Sequence, residues 1–137
     1  MTEEELKLRL RDFALRVLRV CDALPGSAKG RAIAGQLVRS GTSPGTNYRA
    51  ACRGRSPADF VAKLAIAEEE MDESNYWLDL IMADGILPAS RLLALFRESD
   101  ELTRILCASR LTATRNSRAN VQQIKNQKSK IKTPVDP

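Results

Sequence analysis

Phe60, Leu64, Ala67, Met71, Ser74, Leu78 and Ile81 step along the chain by four and three residues. Only an α-helix gathers positions at that spacing onto one side, as a stripe that must find a neighbour. The rhythm recurs through Leu6, Leu10, Phe13, Val17, Val20 and Leu24, and again through Leu92, Leu95, Ser99, Leu102, Leu106 and Ser109. A chain of 137 residues is one domain's worth, so these stripes have chiefly one another to pack against. The β-branched residues are scattered, and no alternating run is bounded by turns on both sides, so no strand is expected.

The breaks between stripes carry their own chemistry. Thr2 and Glu5 have capping-box spacing, and Pro25-Gly26 stops the first helix. Ser27 can cap a second helix containing Ile33 and Leu37. Ser56-Pro57-Ala58-Asp59 supplies a hydroxyl cap, a first-turn proline and an acid for the third. Asp84-Gly85 closes that helix with a left-handed end, and Pro88-Ala89-Ser90 opens the fourth. The expected fold is all-α: an up-down-up-down four-helix bundle over residues 1–115. Residues 116–137 lose the apolar rhythm, carry lysines and end in prolines. They are expected to form a basic, flexible, disordered tail.

The net charge of +5 is unevenly placed. From Arg110 onward there are seven basic residues against Asp136 alone, a balance of +6 that leaves the first 109 residues at −1. Any attraction to polyanions therefore belongs first to the tail. Cys21, Cys52 and Cys107 are odd in number and lack CxxC spacing, which suits a reducing, cytoplasmic setting more than a disulfide or zinc framework. The charged start of the chain does not read as a secretory signal. No apolar run approaches the roughly 18 residues a membrane span needs, so no membrane partner is expected.

RSGTSPGTNYRAACRGRS, residues 39–56, raises the question of a phosphate loop. Such a loop follows a strand and ends Gly-Lys-Ser/Thr, the lysine reaching the outer phosphates. No lysine lies between Lys29 and Lys63, and no strand precedes Gly41 and Gly45. As helix, the stretch is coherent. Gln36, Ser40, Ser43, Asn47 and Ala50 share a face, Pro44 should bend the helix, and nearby hydroxyls can satisfy freed backbone groups. Small residues there let a neighbouring helix approach.

Charge suggests which neighbour. The second helix carries Lys29, Arg31, Arg39, Arg49, Arg53 and Arg55, whereas the third carries Glu68, Glu69, Glu70, Asp72 and Glu73. Glu70 and Glu73 share a stripe with Trp77, so structural polar pairing is expected among Arg39, Asn47, Glu70 and Glu73. Arg39 or Arg49 would serve as partner, because a buried charge must be compensated. Glu68, Glu69 and Asp72 read as a solvated face. With no histidine in the chain, the Glu-x-x-His ligands of a di-iron bundle are missing, as is the usual activator of a cysteine or serine nucleophile. No catalytic residue, cofactor or metal is expected.

Gln36-Leu37-Val38-Arg39-Ser40-Gly41-Thr42-Ser43, Asn47-Tyr48-Arg49-Ala50, Arg55-Ser56, Asp59-Phe60, Lys63-Leu64 and the run from Glu68 to Leu78 together form a pattern. It resembles the four-helix bundle proteins named for the intervening sequence of 23S ribosomal RNA genes. The resemblance spans roughly residues 5–112. It implies a ring-like homopentamer and kinship with the accessory variability proteins of diversity-generating retroelements, which work beside a reverse transcriptase and nucleic acid. Many members read Asn-Ile-Ala-Glu-Gly where this chain has Asn47-Tyr48-Arg49-Ala50-Ala51, so an acid is lost and an arginine gained.

The sequence thus points to a non-enzymatic, self-assembling bundle that binds RNA or DNA through basic surfaces. Arg49, Arg53 and Arg55 on the second helix and Arg115, Arg118, Lys125, Lys128, Lys130 and Lys132 in the tail are the candidate contacts. The alternative is a homo-oligomeric scaffold that recruits a partner enzyme and has no nucleic-acid role.

Overall fold

The computed structural model describes residues 1–132, with side chains through Lys130. Four helices follow in order: α1 (Glu3–Ala23), α2 (Ala28–Cys52), α3 (Pro57–Ala83) and α4 (Ala89–Lys132). Short connectors make each helix reverse on its predecessor. Contacts run chiefly α1 to α2, α2 to α3 and α3 to α4, while α1 and α4 meet at few places. The fold is the expected up-down-up-down bundle.

Each helix begins and ends where its termini find partners. Thr2 and Glu5 make the reciprocal capping box, and the Ser27 and Ser56 hydroxyls accept from Gly30 N and Asp59 N, each at 3.1 Å. At the end of α3, Gly85 takes φ +70°. Gly85 N then donates to Met82 O and Ile86 N to Ile81 O, which satisfies two carbonyls that the last turn would leave bare.

The stripes form one core. Leu64, Ala67, Met71, Leu78 and Ile81 of α3 are wholly inaccessible to solvent, as are Phe13 and Val17 of α1, Leu37 of α2, and Leu102 and Leu106 of α4. Phe60, the first member of the α3 stripe, is only half-buried at the α2–α3 corner. Three serines are fully buried within this apolar interior: Ser40, Ser74 and Ser99. Ser40 and Ser74 Oγ lie 2.9 Å apart across α2 and α3, and Asn75 Nδ2 donates to Ser99 Oγ at 2.9 Å across α3 and α4. Each polar group is met, so the layer fixes the axial register of three helices at no desolvation penalty for an orphan.

The stretch that resembled a phosphate loop lies inside an uninterrupted α2, with Pro44 buried. Its small residues face a different neighbour from the one charge suggested. A Cβ on Gly41 would meet Val17 Cγ1 at 2.7 Å, and one on Gly45 would meet Leu10 Cβ at 3.7 Å, so both glycines admit α1. Ser40 is the small residue that turns to α3. The hydroxyls and amide of this stretch bond back into their own helix: Thr42 Oγ1 to Val38 O, Thr46 Oγ1 to Thr42 O, and Asn47 Nδ2 to Ser43 O.

One element runs further than its apolar rhythm. Residues 116–132, expected to be flexible, continue α4 as helix, and the remaining tail residues lie outside the described residues. The reason is local. No glycine or proline occurs between Pro88 and Pro134, and alanine, glutamine, lysine and arginine all favour helix. Gln122 Nε2 also donates to Asn126 Oδ1 one turn on, at 3.1 Å. The absent apolar rhythm has a different consequence: from Arg118 to Lys130 every residue is exposed.

Leu64→Ala is expected to lower unfolding free energy by about 2–5 kcal/mol, because the tight core cannot collapse around the loss. Gly41→Ala should cost about 1–3 kcal/mol by overpacking against Val17, and Val17→Ala in the same chain should recover part of it. Urea unfolding of the three variants checks this. Strictly additive losses would place Gly41 and Val17 out of contact.

Candidate nucleic-acid interface

Where α2 ends, Arg53 N donates to Ala50 O and Gly54 N to Ala51 O, and Ser56 immediately caps α3. This tight corner has no room to bury long side chains. Arg53 and Arg55 both stand in solvent, and with Ala50, Asp59 and Lys63 they line a shallow surface on one side of it. On the other side α4 passes close by. Arg55, Pro57 and Phe60 share a second depression with Ala113, Asn116, Ser117 and Asn120.

The α4 extension therefore begins at the corner. Arg115, Arg118, Lys125, Lys128 and Lys130 are all exposed along it, and no ion pair among the described residues engages them. The Lys132 side chain lies outside the described residues. Arg49 is placed apart from this group. It is exposed on the α1 side of α2, in a groove with Glu4, Lys7, Arg11 and Thr46.

The polar-pairing residues are also split. Arg39 Nη2 lies 3.5 Å from Glu73 Oε1, but the side chains are 61% and 37% exposed, so this is a surface pair of small value rather than a buried one. Among the described residues Asn47 bonds within α2, to Ser43 O and Ser43 Oγ. Trp77 Nε1 donates to Glu73 Oε1 at 3.3 Å. Glu70 is the exception, because its Oε2 is buried with no hydrogen-bond partner among the described residues. Burial, with the Glu73 charge second, raises its pKa above the ordinary carboxylate value of 4.5.

Among the cross-helix ion pairs absent from the sequence reading, two tie α4 to its neighbours. Glu68, read as a solvated acid, lies against α4, where Arg110 Nε donates to its Oε2 at 2.5 Å. That bond holds the Glu68 carboxyl below its ordinary range. Arg9 of α1 reaches Glu98 of α4 at 2.5 Å and ties the sparsely packed α1–α4 seam. Glu68 sits one residue after Ala67 of the core stripe, a position at the edge of a packed face that could have flagged it. Arg9 and Glu98 likewise sit one residue before Leu10 and Ser99 of their stripes.

The three thiols are free and part-buried. Burial first, then Asp22, pushes Cys21 up to about 11, and burial likewise raises Cys52, so both stay protonated and poorly nucleophilic. Among the described residues no three Cys, Asp or Glu side chains gather as a metal site, and no helix is long and apolar enough to cross a membrane. What the corner and extension offer chemically is a row of fixed cations.

Comparison with known proteins bears on the bundle rather than on the extension. The family described as "23S rRNA-intervening sequence protein" matches residues 5–108. A crystal structure from Bacteroides thetaiotaomicron VPI-5482, described as a protein with unknown function from the S23 ribosomal protein family, is 31% identical to this chain. It superposes with a TM-score of 0.74, covering 80% of this chain and 98% of that one. No curated protein matches.

The two carboxylates should respond oppositely to pH. Glu70 binds its proton more readily folded than unfolded, so its contribution to stability falls as pH rises through and above the ordinary carboxylate range. Glu70→Gln should therefore stabilise the protein at pH 7, with the gain vanishing below about pH 4. Glu68 contributes stability above that range and loses it in acid, so Glu68→Gln should destabilise at pH 7 and become neutral at low pH. Urea unfolding at both pH values distinguishes the signs.

Proposed function

The chain belongs to the 23S rRNA-intervening sequence protein family, and from that premise we propose that it is a non-enzymatic accessory bundle that binds RNA or DNA phosphates through the α2–α3 corner and the α4 extension. One observation carries this reading. After Glu101 no acid occurs until Asp136, while five exposed cations that no ion pair among the described residues engages follow Arg110, on an α4 extension that begins beside Arg55. Fixed positive charge without interleaved acid attracts a polyanion by counterion release, and the attraction weakens steeply with salt.

The folded corner and the extension make different contributions. Arg53 and Arg55 are held by a packed turn and lose little freedom on binding, so they set orientation. The extension supplies more charge and therefore most of the affinity. Arg49, facing α1, contributes only to a ligand that wraps around α2. Self-association as a ring would repeat the extension around the assembly and raise avidity with no new contact.

A scaffold reading has its own support. Leu8, Leu15 and Leu18 on α1, and Ile66 and Tyr76 on α3, are exposed apolar side chains on faces that no helix of the chain covers. These faces suit assembly of the chain with itself or recruitment of a partner enzyme such as a reverse transcriptase. They leave the basic extension free.

Truncation after Asn116 should leave the unfolding midpoint within error, because among the described residues it removes only exposed side chains and the half-buried Ser117. It should weaken nucleic-acid binding and reduce the slope of log K against log salt by about four, at about 0.9 per lost phosphate contact. Anisotropy titrations between 50 and 200 mM salt, roughly the range over which such contacts dominate, make the measurement. Full-length protein that binds neither RNA nor DNA at low salt contradicts the reading and favours the scaffold.

A further inference from the structure

We propose that the nucleic acid is double-stranded DNA in its B form, and that the α4 extension enters its major groove. This rests on the phosphate-binding reading above and narrows it to one ligand class. The matched family region ends at residue 108, so the extension is a feature of this chain beyond the shared bundle.

One face of the extension carries an ordered pattern. Arg115, Arg118, Gln122 and Lys125 step by three, four and three, so they lie in a row along the helix, with Asn126 next to Gln122. All are exposed, and the Gln122–Asn126 hydrogen bond holds the two carboxamides together while using one carbonyl lone pair and one N–H donor, so that three of each remain. Cations flanking carboxamides are the combination that holds phosphates at the groove edge and hydrogen-bonds base edges within it. Gln and Asn match adenine's N6 and N7, and Arg matches guanine's O6 and N7.

Other nucleic acids do not fit this helix. Single-stranded ligands are gripped by stacking splayed bases on aromatic rings, and no Phe, Tyr or Trp follows Phe96. An α-helix is about 10–12 Å across with its side chains. The B-DNA major groove is about 12 Å wide, whereas the major groove of an A-form RNA duplex is too deep and narrow for side chains to read. The thirteen rises from Arg115 to Lys128 span about 20 Å at 1.5 Å each, near six base-pair steps. Acidic residues that would repel phosphate are missing from the whole extension.

The test titrates the full chain with a 20-base-pair DNA duplex, an RNA duplex of the same sequence, and one DNA strand, each at several salt concentrations. The DNA duplex should bind at least about tenfold tighter than either other ligand, a contrast within what one or two good base contacts supply. R118Q/K125Q should lose most of that preference and about two units of salt slope. Both positions are exposed, and an unchanged thermal melt confirms the bundle is intact. Equal or tighter binding to RNA duplex or single strand overturns the groove assignment and leaves phosphate binding standing. A DNA preference unchanged in R118Q/K125Q and also in Q122A/N126A overturns it as well. Absence of binding to all three ligands overturns both readings. Loss of binding that coincides with salt-sensitive self-association would place the extension on the acidic α3 face of a second copy instead.

Discussion

Everything in this molecule hangs on α3 being packed from two sides. Its stripe from Leu64 to Ile81 is wholly inaccessible to solvent, with α2 on one flank and α4 on the other, while α1 reaches the core through α2. A helix can serve two neighbours only if its buried face is wide and its register is unambiguous. The four-three repeat supplies the width. The buried serines supply the register, because sliding α3 by one turn against α2 would separate Ser74 from Ser40 and leave hydroxyls without partners in an apolar interior.

That constraint explains how charge is distributed. With the core satisfied by apolar and hydroxyl groups, arginines and carboxylates are left to the edges, where Arg110–Glu68 and Arg9–Glu98 clamp α4 to its neighbours from outside. Glu70 is caught partly inside with its buried Oε2 unpartnered among the described residues, and its raised pKa records that cost. Beyond Arg110 no ion pair among the described residues engages α4. The same helix that closes the bundle then projects as an uncompensated basic rod, so the packing that ends at the α2–α3 corner also decides where the functional surface begins.

The bundle was legible in the sequence because periodicity, caps and breakers agreed: Thr2 with Glu5, Ser56 with Pro57, Asp84 with Gly85. The helical extension was not, since the absence of an apolar stripe removes burial as a signal although helix propensity persists through Gln122, Gln123 and Lys125. Charge complementarity located α3 as a neighbour of α2 but misplaced the glycines, which admit α1; steric closeness at Gly41 depends on Val17, a contact across the whole first turn of the fold. At the candidate site, residue types were readable and their grouping was not. Only the folded corner brings Arg55 beside Asn116 and separates Arg49 from both.

Hydrogen exchange of the full chain with and without saturating duplex DNA tests the account most directly. It reads contact residue by residue without altering a side chain, and exposed helix with no tertiary packing exchanges readily when free. The account predicts new protection confined to residues 113–130 and the corner at 53–56, with α1 and the acidic face of α3 unchanged. Protection on the exposed faces of α1 and α3, or none along the extension, would contradict it.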